Sequence, residues 1–132
     1  MNVNEQAVAA VLAKYQDALN QSDTDAVMKL YTSDGVFMPQ HSRSSVGTVE
    51  VRKAYDDVFN AITLTVKFNV AEIHQIAPEW AIARTNSAGT VKVKATGGGG
   101  PEANQELFVL QKIDDAWKIA RYCFSTTNPP RT

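Results

Sequence analysis

At Ile62 the spacing of apolar residues changes from a helical period to a strand period, and this switch limits the folds open to the chain. Before it, Val8, Val11, Leu12, Tyr15 and Leu19 fall three and four apart among Ala, Gln and Lys. That spacing predicts an amphipathic helix over residues 4–20. After it, Leu64, Val66, Phe68 and Val70 alternate with Thr65, Lys67 and Asn69, which is the period of a strand. Helices first and strands afterwards predict an α+β fold, with the helices packed on one face of a curved, mostly antiparallel sheet.

Two further helices precede the switch. In "QSDTDAVMKLYTSDG", Asp23 or Ser22 serves as N-cap and Gly35 as terminator of a short helix bearing Val27, Leu30 and Tyr31. Val36, Phe37 and Met38 form an opening strand that Pro39 ends. Thr48 caps a third helix, one side of which carries Val51, Ala54, Tyr55, Val58 and Ile62. Beyond the first long strand, a turn at "APE" leads to a second, from Trp80 to near Ala95. "TGGGGPEAN" reads as a flexible hairpin connection, "QELFVLQKI" as the third strand and "WKIARYCFS" as the fourth. The length of 132 residues predicts one domain, 1–132, with a loose tail from about residue 126. A chain of this size buries roughly two-thirds of its unfolded surface and needs no staple.

Several function classes are excluded. Net charge is -1 with Lys and Arg thinly spread, so the basic stripe of a nucleic-acid or anionic-membrane surface is missing. One cysteine, Cys123, excludes an internal disulfide and a multi-thiolate zinc site. No apolar run approaches about 18 residues, and the N-terminus does not read as a signal peptide, so a cytoplasmic protein is expected. The "GGGG" at 97–100 precedes Pro101 and a strand rather than a helix, which makes it a hairpin and not a phosphate cradle. No motif demands a metal or an organic cofactor. Leu107, Phe108, Val109 and Leu110 are consecutive, so both faces of that strand are apolar. An antiparallel sheet with one wet face alternates instead, so a homodimer through the outer sheet face is expected.

The stretches "SDGVFMP", "VGTVEVRKAY" and "DDAWKIARYCFS", in this order, resemble the nuclear transport factor 2-like superfamily. Nearest are the SnoaL-like and ketosteroid isomerase-like proteins of the SgcJ/EcaC type. The resemblance implies a cone whose open end is an apolar pocket between the helices and the concave sheet, taking a small apolar or cyclic molecule. The superfamily holds isomerases, dehydratases, epoxide hydrolases and polyketide cyclases as well as binding and assembly domains, so the fold does not by itself imply the function. By the same resemblance Tyr15 matches a tyrosine that polarises substrate oxygen, and Tyr55 a second pocket tyrosine. Met38 stands where the steroid isomerases carry their aspartate base, and Phe108 near their second carboxylic acid. Methionine cannot take a proton from carbon, so steroid isomerisation by that route is not expected.

Other residues remain for chemistry. Glu106 opens an apolar strand; facing the pocket it is a general acid or base with a raised pKa, and at the strand end it is the partner of an arginine. Simple alternation puts Trp117, Ile119, Arg121, Cys123 and Ser125 on one face. Resemblance to the association domain of calcium/calmodulin-dependent kinase II implies that this face looks inward, with Arg121 in the cavity; the other reading places it at the dimer face. Arg84 and Asn86 share the same two readings. His41, just past Pro39, is a proton shuttle at the mouth or an idle loop residue. Two functions follow. One is a small-molecule-binding homodimer with an apolar pocket, its sharper version a lyase or isomerase on a cyclic or polyketide-like substrate, with Glu106 or His41 as base, Tyr15 as electrophile, and Met38, Tyr55, Phe59, Phe108 and Arg121 around the ligand. The other is a non-catalytic association or regulatory module, whose pocket Met38, Phe59 and Phe108 would fill.

Overall fold

The computed structural model describes residues 1–128. Its elements are helices α1 (Val3–Asn20), α2 (Thr24–Met28) and α3 (Gly47–Ala61), and strands β1 (Tyr31–Met38), β2 (Ser45–Val46), β3 (Ile62–Ala77), β4 (Trp80–Val93), β5 (Gly99–Ile113) and β6 (Ala116–Thr126). The strands make one sheet in the order β2-β1-β6-β5-β4-β3. Every pairing is antiparallel except β1 with β6, which is parallel.

The helices are placed by their ends as much as by their apolar faces. Asn2 accepts from Glu5 N at 2.7 Å and its own N–H donates to Glu5 Oε1 at 3.1 Å, a capping box that starts α1. Val8, Val11, Leu12, Tyr15, Ala18 and Leu19 form the buried stripe of that helix. Its flank does a second job. Asn20 exchanges two 2.8 Å bonds with the Val66 backbone, and Gln16 accepts from Phe68 N at 2.8 Å. β3 is an edge strand, so these side chains satisfy backbone groups that would otherwise stand open to pairing.

Four local expectations are corrected. α2 is capped by Asp23, which accepts from Ala26 N at 3.0 Å, but it ends at Met28. Tyr31 belongs to β1, because Leu30 O accepts from Ile119 N at 2.6 Å and the sheet captures the chain there. Thr48 does not cap α3: Val46 is the N-cap, without a side-chain bond, and Thr48 Oγ1 donates to Ser33 O at 3.3 Å. "GGPEAN" is strand rather than loop, since Gly99 to Asn104 pair in register with Lys92 to Ser87. Glycine permits this, for a Cβ at Gly99 would stand 2.0 Å from Val91 O.

The fourth correction concerns β6. Leu110 pairs with Ile119 but Val109 pairs with Arg121, so Ala120 is an extra residue. Such a bulge reverses the side-chain phase. Trp117 and Ile119 point inward before it, Tyr122 and Phe124 after it; Arg121, Cys123 and Ser125 therefore face outward. At the far end, Thr127 N donates to Ala103 O at 3.0 Å, tying the start of the expected loose tail to β5. Residues 129–132 of that tail lie outside the described residues. Among the described residues no helix is long and apolar enough to cross a membrane.

Of the glycines, Gly89 has the least room for a side chain: an added Cβ would meet Thr65 O at 1.9 Å. Gly89→Ala should force β3 and β4 apart and cost about 1–3 kcal/mol, read as a lowered urea midpoint at unchanged slope.

Candidate functional site

A cavity of about 150 Å³ lies between α1, α3 and the concave face of the sheet. Tyr15 and Leu19 come from α1, Tyr55 and Val58 from α3, Phe37 from β1 and Tyr122 from β6. A volume near 150 Å³ is about what one benzene ring occupies in a dry protein cavity. A four-ring steroid is far larger than that.

Three tyrosine hydroxyls form a chain at the wall. Tyr55 sits in the middle, 2.6 Å from Tyr15 and 2.6 Å from Tyr31. Three O–H protons serve two bonds, so one hydroxyl of the chain keeps a proton to give. If the bonds run from Tyr31 through Tyr55, the free donor is Tyr15, which lines the cavity as Tyr31 does not. Burial holds all three phenols well above their ordinary value of 10, because a phenolate would be stripped of water. These groups act as neutral donors, not as bases. Stacking fixes their rings: Phe37 lies on Tyr55 at 4.5 Å and Phe108 on Tyr122 at 4.3 Å, while Tyr15 meets Phe108 edge-on at 5.7 Å. Each such pair contributes about 0.5–1.5 kcal/mol beyond its buried area.

Glu106 shares the inward face of β5 with Phe108 and Leu110, and only 4% of it is exposed. Thr85 Oγ1 donates to one of its oxygens at 2.6 Å and Ser87 Oγ to the other at 2.5 Å. Both donors stand on the inner face of β4. Among the described residues no Lys or Arg pairs with Glu106. Desolvation raises its pKa and the two hydroxyls lower it, with desolvation the larger effect. The expectation of an arginine partner is overturned by the β6 bulge. Arg121 lies outside, donating to Ala120 O at 2.6 Å and Asp34 O at 3.2 Å.

The remaining predicted residues divide. Tyr15, Tyr55 and Glu106 meet at the cavity. Phe59 and Phe108 are buried behind its wall rather than in it. Met38 pairs with Cys123 and faces the outer side, because Phe37 takes the inward position on β1. His41 is exposed in the loop after Pro39, with φ +63°. Arg84 and Asn86 are exposed on the outer face, Arg84 at 3.6 Å from Glu72.

Sequence reasoning missed Tyr122, Ser87, Glu102 and Asn104. The last two lie in the "GGPEAN" segment, whose glycines and proline give it the composition of a loop. Their signal was present: Glu102, Asn104 and Glu106 alternate in phase with Phe108 and Leu110. Asn104 Nδ2 donates to Glu102 Oε1 at 2.8 Å, while its Oδ1 is buried without a partner. A buried acceptor left unpaired costs about 1–3 kcal/mol.

The raised pKa of Glu106 has a stability consequence. Between its ordinary value of 4.5 and its folded value, the folded protein holds a proton that the unfolded chain has lost. The contribution of this group to stability should therefore be full below pH 4.5 and be lost as pH rises through the folded pKa. Glu106→Gln should flatten this slope, checked by urea unfolding at several pH values.

The profile of the SnoaL-like domain matches residues 8–129. No curated protein matches the chain in sequence. Among solved structures, a ketosteroid isomerase-like protein from Erwinia carotovora atroseptica is 35% identical, with a TM-score of 0.93 over 98% of this chain and 100% of its own. A protein of Novosphingobium aromaticivorans, described provisionally as a scytalone dehydratase, is 16% identical with a TM-score of 0.83, covering 96% and 85%. A nuclear transport factor 2-like protein of unknown function from Shewanella oneidensis is 20% identical with a TM-score of 0.72, covering 91% and 97%. The last two likenesses concern the fold alone.

Proposed function

The chain belongs to the SnoaL-like family of the nuclear transport factor 2-like superfamily, a small-molecule-binding kind of fold, and from that premise we propose that it moves a proton on a small cyclic ligand. One observation carries the reading: Glu106, a desolvated carboxyl that no Lys or Arg pairs with among the described residues, stands at the wall of a ring-sized apolar cavity that also holds the Tyr15 hydroxyl. An apolar pocket with a few convergent polar groups is the usual form of a small-ligand site.

The chemistry follows from the two groups. Ionised Glu106 takes a proton from carbon next to a ring carbonyl; the C–H pair moves into the enolate and the charge develops on oxygen. Tyr15 donates to that oxygen, and a neutral phenol suits this role. Glu106 then returns the proton to another atom, which makes the net change an isomerisation, or to a departing hydroxyl, which makes it a dehydration. A carboxyl of raised pKa is a stronger base than an exposed one and works nearer neutral pH. His41, exposed beyond Pro39, is the weaker candidate. The cavity is lined rather than plugged: Met38, Phe59 and Phe108 do not fill it, which favours chemistry over a purely associative role.

The test is exchange of α-hydrogens of single-ring ketones in deuterated water, followed by proton NMR. Wild-type protein should accelerate exchange, and Glu106→Gln should slow it by about 10²–10⁴. Exchange no faster than in buffer across the whole set would sink the reading.

We also infer a homodimer through the outer sheet face. Leu107 and Trp80 are 44% and 38% exposed there, beside charges of both signs, Arg84 and Glu72, so the face is complementary to a copy of itself. Leu107→Asp should convert dimer to monomer in sedimentation velocity; a wild-type chain that sediments as a monomer at high concentration would refute the inference.

A further inference from the structure

The inner face of β5 presents Glu102, Asn104 and Glu106 in succession, and all three line the cavity. Alternate residues of a strand stand about 7 Å apart, so Asn104 is one step from Glu106 toward the β4–β5 turn. Its amide has one chemically sensible orientation. Nδ2 donates to the Glu102 carboxylate at 2.8 Å; a rotated amide would set oxygen against oxygen, acceptor against acceptor. Oδ1 is thereby held away from Glu102, and it is the one buried side-chain polar atom without a partner among the described residues.

The two hydroxyls facing it from the adjacent strand β4 are engaged elsewhere. Ser87 pairs with Asn104 across the β4–β5 ladder, but its hydroxyl donates to Glu106 Oε2 at 2.5 Å. Thr85 donates to the other oxygen of the same carboxyl. Both hydroxyl protons of that wall are committed, and the acceptor on Asn104 is not.

We propose that Asn104 is a specificity-determining residue whose Oδ1 accepts a hydrogen bond from a hydroxyl group of the ligand, with Glu102 as the group that fixes the amide. This rests on the cavity being a ligand site and names what enters it. Tyr15 offers a donor and so reads an oxygen acceptor; Asn104 offers an acceptor and so reads a donor. The two together select a single-ring compound carrying both a carbonyl and a hydroxyl, a hydroxylated cyclic ketone or its enol. An analogue without the hydroxyl leaves Asn104 unpaired, and sites built to bond a hydroxyl reject such analogues strongly.

Phenol and toluene test this, because they share ring and size and differ in the donor. In wild-type protein both should shift the methyl signals of Leu19, Leu64 and Val66. Only phenol should shift the side-chain amide signals of Asn104. In Asn104→Ala, phenol affinity should fall about tenfold while toluene affinity stays within about twofold. Phenol that enters the cavity without moving the amide signals, or an equal effect of the substitution on both probes, would overturn the assignment and leave the cavity reading intact. If neither probe shifts the methyl signals, the cavity reading fails and this assignment fails with it. The amide signals are read on the unaltered protein, so the test stands even if the alanine variant does not fold.

Discussion

Pairing between β5 and β6 steps by one residue at Ala120, and the electrostatics of the cavity depend on that step. Without it, the alternation begun at Trp117 and Ile119 would continue inward through Arg121, Cys123 and Ser125. A guanidinium would then share the concave face with Glu106, and an ion pair would hold that carboxyl ionised and inert. The bulge instead turns Arg121 out to the Asp34 and Ala120 carbonyls and turns Tyr122 and Phe124 in. Among the described residues Glu106 is left with two hydroxyl donors and no cation. Its environment is set less by its own strand than by a local irregularity in the next one.

The other groups of the site depend on rigid supports. The tyrosine chain runs across three elements, α1, α3 and β1, so its hydroxyls meet only when both helices are docked on the sheet. Ring stacking removes the freedom of those side chains before any ligand arrives, so that little ordering remains to be done on binding. Docking of α1 is itself directional. Asn20 and Gln16 bond the backbone of β3, which sets the height of Tyr15 above the sheet while covering an exposed edge. One set of side chains thus protects the fold and places the donor.

Length of strand matters as much as placement. The "GGPEAN" segment has the composition of a loop, and glycine and proline weigh against a strand there. Yet Gly99 and Gly89 are where backbones come too close for a Cβ, and the tight pairing extends β5 far enough to carry Glu102 and Asn104 to the cavity wall. The same residues that disguise the strand make it possible.

Periodicity in the sequence determined the class of fold and much of the core: the switch at Ile62 and the stripe from Val8 to Leu19 are local properties of residue spacing. Resemblance to the superfamily marked Tyr15 and Tyr55, and its place at the start of an apolar strand marked Glu106. Tertiary structure decided the rest. Which face Arg121 takes, how β5 extends into the glycine run, where α2 yields to β1, and whether Glu106 has a counter-ion are all matters of pairing between strands distant in the chain. A bulge or a close approach costs little locally and leaves no period behind, so its outcome is set by the partner strand and not by the residues that carry it.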